Sequence, residues 1–115
     1  QVLRSHAYSL ALRNVQLDRA LKLARRAVEQ SPDHPSSRTA LGWVYFQRGN
    51  LKEARRHLQQ ALEQSPPSAR VLEHMGDVEH ALGNDTAARE YWQRALDHAP
   101  NRTSLQKKLD DAPTS

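Results

Sequence analysis

Residues 41–66 read LGWVYFQRGNLKEARRHLQQALEQSP, and residues 75–100 repeat their pattern 34 positions later as MGDVEHALGNDTAAREYWQRALDHAP. The glycine near the start of each stretch, the Gly-Asn pair, two alanines and the closing proline fall at equivalent places. A weaker third copy lies 34 positions before the first and closes at Pro32. A fixed period of this length is typical of a protein built from stacked helical repeats.

The repeated residues resemble the tetratricopeptide repeat (TPR). In the middle copy the residues that carry the resemblance are Leu41, Gly42, Tyr45, Ala54, Leu58, Ala61 and Pro66. The resemblance covers residues 1–100 and implies an all-α fold, a right-handed superhelical solenoid of three helix pairs. The segments Leu41–Tyr45 and Glu73–Val78 are also similar to the last repeats of bacterial multi-TPR proteins.

Two repeated positions have a predicted packing role. Gly42, which recurs as Gly76, is expected to let the backbones of paired helices approach closely. Trp92 stands where Leu58 stands one repeat earlier, so we interpret it as a core residue.

We therefore predict a single TPR domain over residues 1–115 and a capping helix after the third repeat. The repeats are placed at 1–34, 35–68 and 69–102, and the capping helix at about 102–112. Within the repeats, helices are predicted at residues 2–14, 17–30, 35–48, 51–64 and 69–82, with one more running to about His98, and Ser68 is expected to cap the fifth. In that helix Leu105 and Leu109 share one face and the other residues are polar, as the outer side of a last solenoid helix must be. Asn101 or Thr103 is expected to cap it. Because the chain begins at Gln1, we expect it to be a segment of a longer protein.

Composition excludes several classes of site. The chain has no cysteine, which excludes disulfides and thiolate chemistry. Its formal charge of +4 is spread along the sequence, and the arginine pairs 25–26 and 55–56 fall on second helices away from the aromatic residues. This favours a solvated surface over a nucleic-acid site. No membrane span or signal peptide is visible, so a cytoplasmic and a periplasmic location both stay open.

No catalytic motif stands out, and we predict neither enzymatic activity nor a cofactor. His74, Asp77 and His80 are spaced three and three along one helix. A metal site needs three or four converging ligands, and this spacing rotates the outer two side chains apart. We therefore predict no metal site.

In TPR arrays the first helix of each repeat lines a concave groove in which peptides bind, and the resemblance implies the same here. Residues not used by the core mark the groove side: Ser5, Ser9, Leu12 and Arg13, then Thr39, Trp43, Phe46 and Gln47, then Glu73, Asp77, His80 and Ala81. The predicted peptide-binding set is Arg13, Thr39, Trp43, Phe46, Gln47, Glu73, Asp77 and His80.

Trp43 and Phe46 lie three residues apart, so one helical face presents both as an apolar anchor. The alternative is that Trp43 only packs on the neighbouring first helix and completes the core. Glu73 and Asp77 are expected to form a solvated acidic patch that attracts a basic peptide or pairs with an arginine of the chain.

The predicted function is protein–protein interaction through the groove. The alternative is an architectural or oligomerisation segment of a larger protein with no ligand of its own. Weak self-association is also predicted through the first helix, whose apolar residues include Val2, Leu3 and Leu10.

Overall fold

The computed structural model describes residues 17–64 and 68–112. This part of the chain contains helices and no strand, which confirms the predicted all-α class. The helices are α1 (Leu17–Gln30), α2 (Pro35–Gln47), α3 (Leu51–Gln64), α4 (Ala69–Ala81), α5 (Asp85–His98) and α6 (Thr103–Asp111). The helix predicted at residues 2–14 lies outside the described residues. None of the described helices has both the length and the apolar character that crossing a bilayer requires.

The chain divides into two compact units, Gln1–Pro66 and Pro67–Ser115. The first unit holds α1 to α3, with α2 packed against both neighbours. The second holds α4 to α6, with α5 packed against both neighbours. The single domain predicted over residues 1–115 stays a prediction.

The two Gly-Asn turns end α2 and α4 in the same way. Gly49 has φ 84°, the left-handed region that glycine enters at no steric cost. The Gly49 amide donates to the Phe46 carbonyl, and the Asn50 amide to the Tyr45 carbonyl. This pair of bonds is a Schellman motif, which satisfies carbonyls left over at a helix end. Gly83 has φ 87° and repeats the arrangement after α4, so each hairpin turn is set by local sequence.

Helix starts are less uniform. Pro35 occupies the first turn of α2, where its missing amide hydrogen costs nothing. The predicted cap Ser68 is confirmed, since its Oγ accepts from the Val71 amide at 3.2 Å. The predicted caps of α6 are wrong: the residue before the helix is Arg102, with no side-chain capping bond. Arg102 is instead engaged in an ion pair described below.

In the first unit α2 and α3 pack closely against each other at Gly42. A Cβ at this position would lie 2.8 Å from Leu58 Cγ and 3.2 Å from the Ala54 carbonyl oxygen. The two backbones therefore approach closely only because Gly42 has no side chain. Val44, Ala54 and Leu58 are wholly buried around this contact, which confirms the predicted packing role of the glycine.

In the second unit Gly76 has the equivalent role with a larger partner. A Cβ at Gly76 would collide with the indole ring of Trp92. Trp92 is buried, so its interpretation as a core residue is confirmed. Leu72, Met75 and Val78 of α4 complete the core, and Leu105 is the residue of α6 that is wholly buried.

Candidate peptide-binding surfaces

The predicted groove residues of the first unit follow one another along α2. The Thr39 hydroxyl is buried and donates to the Pro35 carbonyl at 2.9 Å, which leaves it no role as a free donor. The Trp43 and Phe46 rings stack with their centroids 4.8 Å apart. Trp43 is only 8% exposed, whereas Phe46 and Gln47 are partly exposed. The accessible edge of the aromatic pair is therefore Phe46, and the expectation of an exposed Trp43 is corrected.

Arg13, the predicted groove residue of the first repeat, lies outside the described residues. The members predicted in the third repeat, Glu73, Asp77 and His80, all belong to α4. They lie in the second compact unit.

Glu73 is 4% exposed, so the prediction that it is solvated is wrong, whereas the predicted pairing with an arginine of the chain is observed. Arg102 Nε donates to one of its carboxylate oxygens at 2.6 Å. Ser104 Oγ at 3.0 Å and Lys108 Nζ at 2.7 Å donate to the other. A buried carboxylate is tolerated when donors replace the water that it has lost. Here the donors come from α6 and the residue before it.

Asp77 shares the same lysine. Lys108 Nζ lies 2.8 Å from its Oδ1 and 3.0 Å from its Oδ2. Trp92 Nε1 also donates to Oδ1, at 3.2 Å. Glu73, Asp77, Arg102, Ser104 and Lys108 together form what we call the α6 latch, because the two carboxylates lie on α4 and the donors lie at or within α6.

The pKa directions in the α6 latch follow from burial set against hydrogen bonding. Burial alone would raise the pKa of Glu73, but hydrogen bonds from Lys108 and Arg102 outweigh it and hold the pKa below its ordinary value. Burial raises the pKa of Asp77, and the hydrogen bond from Lys108 offsets this only in part. Burial also opposes the charge of Lys108, yet its bonds to both carboxylates raise its pKa. Glu73 is thus the better stabilised carboxylate.

The two histidines of α4 have different surroundings. His80 is exposed, and its Nδ1 lies 3.0 Å from Asp85 Oδ1. His74 is buried, which lowers its pKa to about 3 even though nearby Glu73 acts in the opposite direction. Among residues 17–64 and 68–112, no three histidine, aspartate or glutamate side chains converge as metal ligands would.

Sequence reasoning missed a pocket beside α6. It has a volume of about 390 Å³. Its lining consists of Asp77, His80, Trp92, Ser104, Lys107, Lys108, Asp111 and Ala112. The buried indole of Trp92 lines this space together with the last turn of α6. The 34-residue pattern could not predict the pocket, since α6 begins 34 residues after α4 but has nine residues where α4 has thirteen.

Sequence reasoning also missed a cluster on the first unit. His57 is buried, and its ring is stacked parallel to Tyr45 at 5.5 Å. Arg25 Nη2 donates to the Tyr45 hydroxyl at 2.9 Å. Arg56 pairs with Glu53 at 2.7 Å, as weak surface pairing predicts. The arginines of the second helices are thus used locally, at least at positions 25 and 56.

Several solved structures resemble this chain. The first TPR domain of Spaghetti (RPAP3), bound to the HSP90 peptide SRMEEVD, is 18% identical, with a TM-score of 0.85 over 95% of this chain and 86% of that one. YrrB, described as a TPR protein with an unusual peptide-binding site, is 25% identical, with a TM-score of 0.77 over 93% of this chain and 55% of YrrB. An O-GlcNAc transferase of Thermobaculum terrenum is 23% identical, with a TM-score of 0.85 over 94% of this chain but 21% of the enzyme.

A comparison with curated protein sequences finds no match. The family model of the tetratricopeptide repeat matches twice, over residues 11–73 and 48–110. The two matches together cover most of the sequence, and the glycines and buried alanines on which the fold depends fall within them. The chain therefore belongs to the tetratricopeptide repeat family.

Proposed function

We propose that this chain is a protein–protein interaction module that binds a peptide or partner segment in its groove, on the face of α2 that carries Phe46 and Gln47. The observation that carries the proposal is the stacked Trp43–Phe46 pair on α2, with Phe46 and Gln47 partly exposed. Solved TPR proteins with peptides or peptide-binding sites in their descriptions support the same class of function. The proposal assigns the chain no chemistry of its own.

The physical basis is a supported aromatic anchor. Trp43 packs under Phe46 and holds its ring in place, so little side-chain entropy is lost when a ligand covers the ring. The Gln47 amide lies one residue further and can both donate to and accept from a peptide backbone. Losing a central aromatic anchor typically costs about 2 kcal/mol or more of binding energy.

The test is a peptide selection on the full chain followed by affinity measurements on variants. Phe46→Ala should weaken the selected peptides at least tenfold, because it removes the accessible ring. The matched control is Gln93→Ala on the second helix α5, an exposed residue that bonds to Asp97 and should leave affinity unchanged. Trp43→Phe, which keeps the stack but trims it, should have an intermediate effect. Peptides that bind all of these proteins equally would contradict the proposal.

The second candidate is an architectural segment with no ligand. One observation favours it, namely that Glu73 and Asp77 are engaged by the chain's own Lys108. A selection that returns no peptide with Phe46-dependent affinity would favour this role.

A further inference from the structure

Helix α6 is held in place by few contacts. It has nine residues, fewer than a helix needs to be stable by itself in water. It buries Leu105 completely, whereas α5 buries Ala88, Trp92 and Ala95 and α4 buries seven residues. Apart from Leu105 and the half-buried Leu109, its attachment depends on the α6 latch. An element held in this way opens locally at a lower free energy than the core of the structure does.

The last turn of α6 also borders a space that it does not fill. Lys108, Asp111 and Ala112 border the pocket of about 390 Å³ that Trp92 lines. Ala112 has an extended backbone (φ −71°, ψ 146°), as the residue before a proline tends to. The helix therefore stops where one more turn would lie over the pocket, and a volume of about 390 Å³ remains beside Lys107 and Lys108.

We propose that the surface formed by Glu73 and Asp77 of α4 and Trp92 of α5 is a docking site for a basic amphipathic helix of a partner protein, and that α6 is its intramolecular occupant. The partner helix would carry a leucine, a lysine three residues later and a large apolar residue four residues after that. These spacings put the three side chains on one helical face. The partner's leucine takes the place of Leu105, its lysine takes the place of Lys108, and its large apolar residue fills the pocket.

Charge complementarity determines the sign of the charge that the partner helix must carry. The two carboxylates are withdrawn from most of the solvent, so each needs a donor that approaches as closely as Lys108 does. An acidic or neutral helix would leave Glu73 buried and unpaired. Since α6 engages the same carboxylates, the partner must displace it. The closed fraction of the chain therefore lowers the apparent affinity.

This inference rests on the proposed interaction function but concerns a second surface, and its test does not involve Phe46. The probe is a fluorescently labelled peptide of residues 102–115 carrying Ala112→Phe and Pro113→Ala, titrated by anisotropy into the full chain. The chain with Lys108→Gln, whose α6 is weakly held, should bind the probe at least tenfold more tightly than the unchanged chain. The control Lys52→Gln removes the same charge from an exposed residue of α3, leaves the latch intact and should bind as the unchanged chain does.

Two further arms make the result specific. A probe with glutamate at its Lys108 position should bind the Lys108→Gln chain at least tenfold more weakly. If Lys108→Gln disturbs folding, as circular dichroism would show, Leu105→Ala serves as a second variant with a loosened α6. Equal probe affinity for the loosened and unchanged chains would overturn the proposal. A dimer of the loosened chain that the probe does not dissociate would assign the surface to a second copy and overturn it as well.

Discussion

Gly42 and Gly76 show how one missing side chain sets the distance between two helices. The sequence predicted the close approach at Gly42 from its recurrence 34 residues later, and both sites confirm it. The facing residue differs, since Leu58 packs over Gly42 and the rigid indole of Trp92 packs over Gly76. A leucine tip can turn away from an added methyl group more easily than a fused ring system can.

This difference predicts an order of stabilities. Gly76→Ala should destabilise the second unit by about 1–3 kcal/mol through overpacking, which exceeds the gain in helix propensity of about 1 kcal/mol. Each kcal/mol corresponds to roughly 4 °C in melting temperature for a chain of this size. Gly42→Ala should lower the stability of the first unit by less than Gly76→Ala lowers that of the second. The double variant Gly76→Ala, Trp92→Leu, which copies the Gly42–Leu58 pair, should recover part of the loss when melting is followed by circular dichroism. No recovery would mean that the indole is not what excludes the methyl group.

Single residues also show where prediction from sequence stops. The residues of the α2 face were identified correctly as neighbours. The periodicity did not reveal that the Thr39 hydroxyl donates to the Pro35 carbonyl or that Trp43 is buried. Lys108 was treated as one of several polar residues on α6. It lies three residues after Leu105, hence on the buried side, and its partners Glu73 and Asp77 are more than 30 residues earlier. A pattern of polarity does not specify such long-range pairs.

Among the elements, the helix pairs were the most predictable, and the contacts that hold α6 were the least. Proline, the Gly-Asn turns and the 3.6-residue spacing of alanine and leucine act locally, so they determined α1 to α5 to within about one residue. The capping residue of α6 was missed because Arg102 is held by Glu73 rather than by capping chemistry. Tertiary ion pairing replaced the expected Asn101 or Thr103 cap.

Removal of α6 tests its role as a cap. Deleting residues 102–115 would uncover the seat of Leu105 and strip Glu73 of its three donors. Burying one leucine stabilises a fold by about 2 kcal/mol, and an unpaired buried carboxylate adds a further cost. We expect a melting temperature at least about 8 °C lower, together with aggregation through the exposed face. Deleting residues 113–115 alone is the control and should change nothing. A longer deletion that remains monomeric and equally stable would show that α6 is only a tail.

At the scale of the whole molecule, the described residues of each compact unit include one buried histidine among charged neighbours. His57 in the first unit faces Tyr45, and its pKa falls to about 4 through burial, with the charges of Arg56, Arg38 and Arg25 adding to the effect and Glu53 opposing it. His74 in the second unit has a pKa of about 3 through burial, with the charges of Lys108, Arg70 and Arg102 adding to the effect and Glu73 opposing it. Both histidines are therefore neutral in the folded protein at neutral pH.

These shifts predict a steep loss of stability in mild acid. The folded-state pKa values lie below the ordinary value of 6.5, so between about pH 6.5 and pH 4 the unfolded chain binds protons that the folded chain does not. Each histidine should then contribute a slope of roughly 1.4 kcal/mol per pH unit in the free energy of unfolding. The lowered pKa of Glu73 acts in the same direction below about pH 4.5, and the raised pKa of Asp77 acts against it. Lys108 matters only in alkaline solution.

Urea denaturation between pH 7 and pH 4.5 measures this slope, and the repeats supply the matched variants. His57→Tyr introduces the residue that the third repeat has at the equivalent Tyr91, and His74→Ala introduces the residue that the middle repeat has at Ala40. Each variant should remove about half of the pH dependence, whatever it does to stability at pH 7. If the two units unfold in separate transitions, His57→Tyr should flatten only the transition of the first unit and His74→Ala only that of the second. A slope that both variants leave unchanged would show that the two histidines bind protons equally in the folded and unfolded chain, and would contradict the prediction.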